Sequence, residues 1–311
     1  MKVRKIKQGA TLGIICPSGR QTDNERVKQY LDYLTILGYK YKIGKSLYAS
    51  EGYLAGSDEL RAKDINEFFS DDEVDAILCY KGGYGAGRML PLIDFENMKK
   101  NPKLLVGFSD VTVLLNSIYQ KANIPTLHGE MGIIYKTNFL EEKEFSFNNL
   151  EQTLKGISPT NLLEGFDNVE FRNHGKVIAP IVGGNLSLIC GMQGTPYEVD
   201  VKDKILFIEE VHEAPYAIDR FLCQLKLAGK LNQIKALIFG YFTNCGEDTK
   251  SDTQTVMDVI NEYTKELTCP IIINFPSGHN RPFVNIPIGI NVEIDTDKKS
   301  VIVLEDMFFD K

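Results

Sequence analysis

Apolar runs alternate with amphipathic stretches over residues 11–128. The runs at 11–16, 75–79 and 103–108 are nearly all apolar and predict buried strands. Between them, helical periodicity falls at about 23–37, 58–70 and 111–121. In the first helical stretch Val27, Tyr30, Leu31, Leu34 and Leu37 recur at spacings of three and four, and Gly38 closes it. Strands lacking polar alternation, separated by helices, predict a parallel sheet covered on both faces.

The pattern changes at about 141. Glu141 to Lys155 reads as a polar helix, and residues 156–175, with Gly156, Pro159, Gly165, Asn168, Asn173 and Gly175, have connecting-chain composition. A second alternation starts at 176. Strands are predicted at 176–182, 204–208, 235–240, 270–273, 287–294 and 300–304, and helices near 185–192, 215–229 and 253–265. The last two strand runs suggest a hairpin around Asp295-Thr296-Asp297. The expectation is an α/β protein of two domains: residues 1–155, a linker at 156–175, and a strand-richer domain at 176–311. No internal repeat or low-complexity tract is present.

The 311 residues are 43% hydrophobic and 25% charged, values of a folded globular protein with ample chain for a core. A net charge of -7 opposes non-specific nucleic-acid binding. No apolar run reaches the ~18 residues of a membrane helix. A basic N-terminus (Lys2, Arg4, Lys5, Lys7) precedes only a short apolar stretch that Pro17 ends, too short for a signal core, so a cytoplasmic protein without a membrane partner is expected. The six cysteines form no C-x-x-C pair, and several lie in apolar contexts and read as small buried hydrophobes. Four scattered histidines lack metal-ligand spacing, so neither metal nor cofactor is expected. Gly38 to Ser46 misses the phosphate-binding P-loop spacing by one residue, and its Tyr39/Tyr41/Ile43 alternation reads as an edge strand.

Four segments can carry chemistry. In the first, the strand 103–108 runs through Gly107-Phe108 into Ser109-Asp110 and a helix. That order places a serine hydroxyl at a strand-to-helix turn, with the Asp110 N–H as an oxyanion donor. The alternative is a helix-capping serine. The second is the glycine-rich turn Lys81-Gly82-Gly83-Tyr84-Gly85-Ala86-Gly87-Arg88, at a strand end where parallel sheets place ligand contacts. Its spacing is not G-x-G-x-x-G, and a plain tight turn is the alternative. In the third, the strand 204–208 ends in Glu209 and Glu210. Glu209 is expected to be partly buried and to orient a base, whereas Glu210 and Glu213 are expected to be solvated. In the fourth, the loop 274–282 presents His279, a general-base candidate; an exposed loop histidine is the alternative. His128 competes as a possible cleft residue, His212 is expected to face solvent, and His174 lies in the linker.

Together these segments resemble the LD-carboxypeptidase family of serine peptidases, which includes muramoyltetrapeptide carboxypeptidases and microcin C immunity peptidases. The family's R-G-G-Y-G turn is Lys81-Gly82-Gly83-Tyr84-Gly85 here, and its G-[YF]-S-D-x-T segment is Gly107 to Thr112. Its L-F-[LI]-E segment is Leu206 to Glu209, followed by Glu213-Ala214-Pro215-Tyr216 and Asp219-Arg220. Its G-H-x-x-P loop is Gly278 to Pro282. All four fall in family order, and the resemblance covers nearly the whole chain. It implies a triad of Ser109 as nucleophile, His279 as base and Glu209 as orienting acid, with the N–H groups of Asp110 and Gly83 as oxyanion hole. It also implies a flavodoxin-like or Rossmann-like N-terminal domain, a β-rich, barrel-like C-terminal domain, and a homodimer. The implied substrate is a cytoplasmic murein tetrapeptide from which terminal D-alanine is released in peptidoglycan recycling. Lys81 departs from the family's arginine, which puts substrate preference in doubt if that position grips a carboxylate. Lys81, Tyr84, Arg88 and Arg281 are the substrate-contact candidates. Cleavage of a peptide-nucleotide antibiotic or other small amide, and non-catalytic binding of a small ligand, are the competing expectations. With Ser109 before the linker and Glu209 and His279 after it, neither half is expected to be catalytic alone.

Overall fold

The computed structural model describes residues 1–135, 141–156, 161–246 and 254–309. Its elements begin with β1 (Val3–Arg4), β2 (Thr11–Ile15), α1 (Asn24–Ile36), β3 (Lys40–Ile43), α2 (Asp58–Ser70), β4 (Ala76–Cys79), α3 (Ala86–Met89), α4 (Phe95–Lys100), β5 (Leu104–Gly107), α5 (Thr112–Ala122), β6 (Thr126–His128) and α6 (Glu141–Leu154). They continue with β7 (Glu170–Arg172), β8 (Lys176–Asn185), α7 (Leu186–Gly191), β9 (Ile205–Val211), α8 (Pro215–Leu227), β10 (Ala236–Thr243), α9 (Val256–Thr264), β11 (Ile271–Ile273), β12 (Ile286–Ile288), β13 (Asn291–Asp295), β14 (Ser300–Val303) and β15 (Phe308–Phe309). No helix among the described residues is long and apolar enough to cross a membrane.

The chain divides into two compact units. The first comprises Met1–Ser158, Phe283–Gly289 and Asp306–Lys311; the second comprises Pro159–Pro282 and Ile290–Glu305. Of the stretch expected to connect two domains, residues 157–160 lie outside the described residues, and 170–172 form β7.

In the first unit β3, β2, β4, β5 and β6 follow one another as parallel neighbours. Counted along the chain, this is the order second, first, third, fourth, fifth, the doubly wound arrangement of flavodoxin-like sheets. β12 adds an antiparallel strand on β6, with Ile286 opposite His128. The strands are parallel because each connection carries a helix. α1 starts where Asp23 accepts from Arg26 N (3.0 Å), and α2 starts where Ser57 accepts from Leu60 N (3.3 Å). β2, β4 and β5 are buried almost throughout, as a sheet covered on both faces requires. All parallel strands release their following loops at one edge, and the serine turn and the glycine-rich turn lie there.

The second unit has the path β14, β13, β8, β9, β10, β11, β7. Its long strand β8 works in two halves. Lys176–Pro180 pair antiparallel with β13, and Ile181–Asn185 pair parallel with β9. No pairing joins the two ends of the path among the described residues, so the strand-rich domain holds an open mixed sheet rather than a closed barrel. The hairpin expected around Asp295-Thr296-Asp297 is β13–β14, with Asp295 opposite Ser300.

The apolar run at 287–294 proves to be two strands in different units. Gly289 breaks it with φ +85°, against the Tyr119 ring, and sends β12 to the first unit and β13 to the second. Hydrophobicity is continuous across the break, so the pattern alone reads as a single strand.

One buried cation stands at the start of β5. Lys103 is 6% exposed and donates to Phe68 O (2.8 Å) and to Asp71 O. Burial pulls its pKa down from 10.5 to about 8. A folded-state value below the unfolded one gives stability that is fully present above pH 10.5 and lost as pH falls through 8. The unmodified protein is therefore expected to gain stability relative to Lys103→Met as pH rises from 8 toward 10.5. Urea midpoints of the two proteins across that range check it; parallel midpoints would contradict the shift.

Candidate active site

β5 ends in Gly107, Phe108 is extended (φ -151°, ψ -168°), and Ser109 turns to φ +62° before a short 3-10 turn and α5. A non-glycine residue at positive φ is uncommon and disfavoured by its own Cβ, and it is the backbone geometry of a nucleophile at a strand-to-helix elbow. The capping alternative does not hold. The 3-10 turn is capped at Phe108 and α5 at Val111, neither through a side-chain hydrogen bond. Ser109 is half-buried between the buried Phe108 and Asp110. Phe108 is fixed by the Phe283 ring (5.1 Å between centroids) and the His128 ring (5.8 Å).

The glycine-rich turn lies against this serine. A Cβ on Gly82 would stand 3.1 Å from Ser109 Cβ and 3.3 Å from its Oγ, so glycine permits the approach. Gly19 N donates to Gly82 O (3.0 Å), which ties the turn to the loop after β2. The exposed Gly83 and the start of the turn of α5 are where N–H donors toward an oxyanion are expected. The Asp110 carboxylate accepts from Ala86 N (2.8 Å), and burial pushes its pKa up.

In the second unit Glu209 ends the apolar part of β9, opposite Asn185 of β8. Its carboxylate is fully buried, and Oε2 lies 2.7 Å from His279 Nδ1. The His279 side chain is 17% exposed, whereas the carboxylate bonded to it is wholly enclosed. Gly278, at φ +126°, makes this approach possible: a Cβ there would sit 2.9 Å from Glu209 Oε2. Tyr241, missed by sequence reasoning, tethers the loop twice. Its N–H donates to Ser277 O (2.9 Å) and its hydroxyl to Pro282 O (3.1 Å). These bonds arise at a register shift between Phe239 and Phe242, where Gly240, an isolated glycine inside the strand, is the one signal of it in the chain.

Glu210 corrects the expectation of a solvated acid. It is 2% exposed and accepts from Asn185 Nδ2 (2.8 Å), Ser187 N (2.8 Å) and Val211 N (2.9 Å). Burial pushes its pKa up, against these bonds. The signal for it was available: four consecutive apolar residues, 205–208, mark a strand covered on both faces, so both acids that continue it are enclosed.

The other candidates are placed as follows. Lys81 Nζ donates to Arg20 O (2.7 Å). Arg88 pairs with Asp58 (3.0 Å). Arg281 Nη1 donates to Asn280 O (2.8 Å) in its own loop. Tyr84 is exposed, with its ring 5.8 Å from that of Tyr53. His128 is fully buried and stacked on Phe283 (5.4 Å), a core residue rather than a cleft residue. His212 is exposed, and His174 is exposed with Nδ1 2.6 Å from Asp297. Cys16, at the end of β2, is buried and its thiol pKa is pushed up to about 12, which keeps it neutral at physiological pH.

Residues 12–129 match the family profile described as the LD-carboxypeptidase N-terminal domain, and residues 179–294 match the LD-carboxypeptidase C-terminal domain. The chain is 35% identical to the probable murein peptide carboxypeptidase of Bacillus subtilis, over 97% of this chain and 94% of that one. It is 30% identical to the murein tetrapeptide carboxypeptidase of Pseudomonas aeruginosa, over 80% and 81%. Among solved structures, MccF in complex with glutamyl sulfamoyl guanosine superposes with a TM-score of 0.89 at 23% identity, covering 99% of both chains, a likeness of fold.

Replacing Glu210 by Ala leaves three donors facing a cavity. The unfolding free energy is expected to fall by about 2–4 kcal/mol, read from urea denaturation, with Glu210→Gln losing less. A midpoint unchanged in Glu210→Ala would show that Asn185 and the α7 N-terminus find other acceptors.

Proposed function

Because the chain belongs to the LD-carboxypeptidase family, and is thereby a peptidase of the carboxypeptidase class, we propose that it is a serine-type L,D-carboxypeptidase. It would release terminal D-alanine from murein tetrapeptide in the cytoplasm, acting as a homodimer in peptidoglycan recycling. The observation that carries this reading is the left-handed backbone of Ser109 at the strand-to-helix turn, with the glycine-rich turn packed on it.

In this reading Ser109 Oγ attacks the carbonyl carbon of the terminal peptide bond, and His279 Nε2 takes the hydroxyl proton. Glu209, bonded at Nδ1, fixes the tautomer that leaves Nε2 free to accept, and stabilises the imidazolium that forms. The Asp110 and Gly83 N–H groups stabilise the oxyanion. The imidazolium then protonates the leaving D-alanine nitrogen, and the C–N bond breaks to give an acyl-serine. Water repeats the sequence: His279 takes its proton, the ester C–O bond breaks, and Ser109 regains its hydrogen. A cation must meet the terminal carboxylate; Lys81, Arg88 and Arg281 are the proposed sources, each exchanging a present contact for it.

One feature favours a second reading, cleavage of a peptide-nucleotide conjugate. The exposed Tyr53 and Tyr84 rings beside the glycine turn form an aromatic surface on which a base can stack. The ratio of kcat/KM on the two substrate types separates the readings.

Ser109→Ala is expected to lower D-alanine release from murein tetrapeptide by at least about 1000-fold while leaving the thermal unfolding curve unchanged. Full activity in that variant would end the serine assignment. Binding of tetrapeptide by the unmodified protein without turnover would indicate a ligand-binding protein.

A further inference from the structure

N–H groups act on a developing oxyanion only if they are held in place before the charge appears. Gly82, Gly83 and Gly85 supply close approach but no stiffness of their own, so something else must hold the turn. Two side chains from different elements do so at a single peptide group. The carbonyl of Gly85 accepts from Arg61 Nη1 (2.8 Å), and the N–H of Ala86, the other end of that peptide, donates to Asp110 Oδ2 (2.8 Å).

Arg61 lies on α2 and its side chain is fully buried. The same Nη1 also donates to Pro17 O (2.7 Å) in the loop after β2, Nε donates to Gly56 O (3.2 Å), and Nη2 pairs with Asp58. Burying a guanidinium costs several kcal/mol, and a well-packed apolar residue is often as stabilising. Its worth therefore lies in what the fork fixes: three loop carbonyls, one of them in the glycine turn. Asp110 directly follows Ser109, so the far side of the same peptide is anchored to the elbow itself.

We infer that Arg61 and the Asp110 carboxylate are positioning residues that clamp the Gly85–Ala86 peptide and so hold the oxyanion donors of the glycine turn at a fixed distance from Ser109. The inference rests on the serine-peptidase reading above. Neither side chain touches substrate; both act through the turn.

The test uses the full-length protein with Arg61→Lys, Asp110→Ala and Asp110→Asn. An ammonium keeps the charge but cannot span several carbonyls as the planar fork does. Asparagine keeps an oxygen acceptor for Ala86 N, whereas alanine does not. In Arg61→Lys and Asp110→Ala, kcat for D-alanine release per titrated serine is expected to fall about 10- to 100-fold, with KM changed less than about threefold, because the lost interaction belongs to the transition state. Asp110→Asn is expected to recover most of the Asp110→Ala loss. A fluorophosphonate probe reports the same step without a peptide: the serine oxygen bonds to phosphorus, fluoride leaves, the proton passes to the base, and a phosphoryl oxygen takes the oxyanion position. Its labelling rate is expected to follow the same order. Folded Arg61→Lys and Asp110→Ala proteins with kcat and labelling within twofold of the unmodified protein would overturn the clamp alone. If Arg61→Lys does not fold, the Asp110→Ala and Asp110→Asn pair decides. Absence of both turnover and labelling in the unmodified protein would overturn the serine reading, and the clamp with it.

Discussion

Left-handed backbone at a residue with a Cβ costs on the order of 1–2 kcal/mol, and a lone serine in water would relax out of it. Ser109 stays at φ +62° because everything flanking it is fixed. β5 is buried on both faces, and Phe108 is wedged between Phe283 and His128. On the other side α5 begins within the same turn, and Gly107 leaves room for Val111, whose Cγ1 would stand 2.9 Å from any Cβ added there. The rest of the first unit follows from this constraint. The parallel sheet delivers a buried strand into the turn, and because parallel strands end at the same edge the loop after β4 packs on the serine and the loop after β2 packs on that loop.

The second unit solves a different electrostatic problem. A carboxylate with no solvent contact must be compensated, and Glu209 meets His279 Nδ1 through one oxygen. Its neighbour Glu210, on the opposite face of the strand, is equally enclosed but meets three donors from β8, α7 and its own strand end. Two adjacent acids thus take different tasks from their surroundings. Glu210 closes a backbone junction and is saturated. Glu209 keeps its capacity for one partner, and that partner is brought to it by a glycine whose missing Cβ would collide with the carboxylate.

Much of this was legible in the chain. The buried strands announced themselves by unbroken apolar runs, and α1, α2, α5, α8 and α9 by helical spacing. Ser109, Glu209 and His279 stood out because each comes after an apolar run and is chemically conspicuous. What escaped had physical reasons. β12 and β13 share one hydrophobic run, and only the conformation of Gly289 divides them. β1, β7 and β15 are two or three residues long, below any periodicity. Arg61 carries no mark in the sequence, since nothing in its spacing says that its fork meets the carbonyls of Pro17 and Gly85. Tyr241 depends on a strand irregularity, and His128 looks like a cleft histidine until its two aromatic neighbours, one of them Phe283, are in place.

Phe283 has a consequence for the order in which the protein is made. The first unit is not a continuous stretch: Phe283–Gly289 return to it after the whole of Pro159–Pro282 has been synthesised. Phe283 stacks on His128 and braces Phe108, and β12 pairs with β6. A nascent chain that has emerged only as far as residue 158 therefore carries the serine turn without its rear wall. The residue that completes that wall lies four positions beyond His279, so the ribosome cannot finish the serine's support before it has delivered the imidazole. Chain order alone thus withholds the complete support of the Ser109 turn until the loop that carries His279 has been translated.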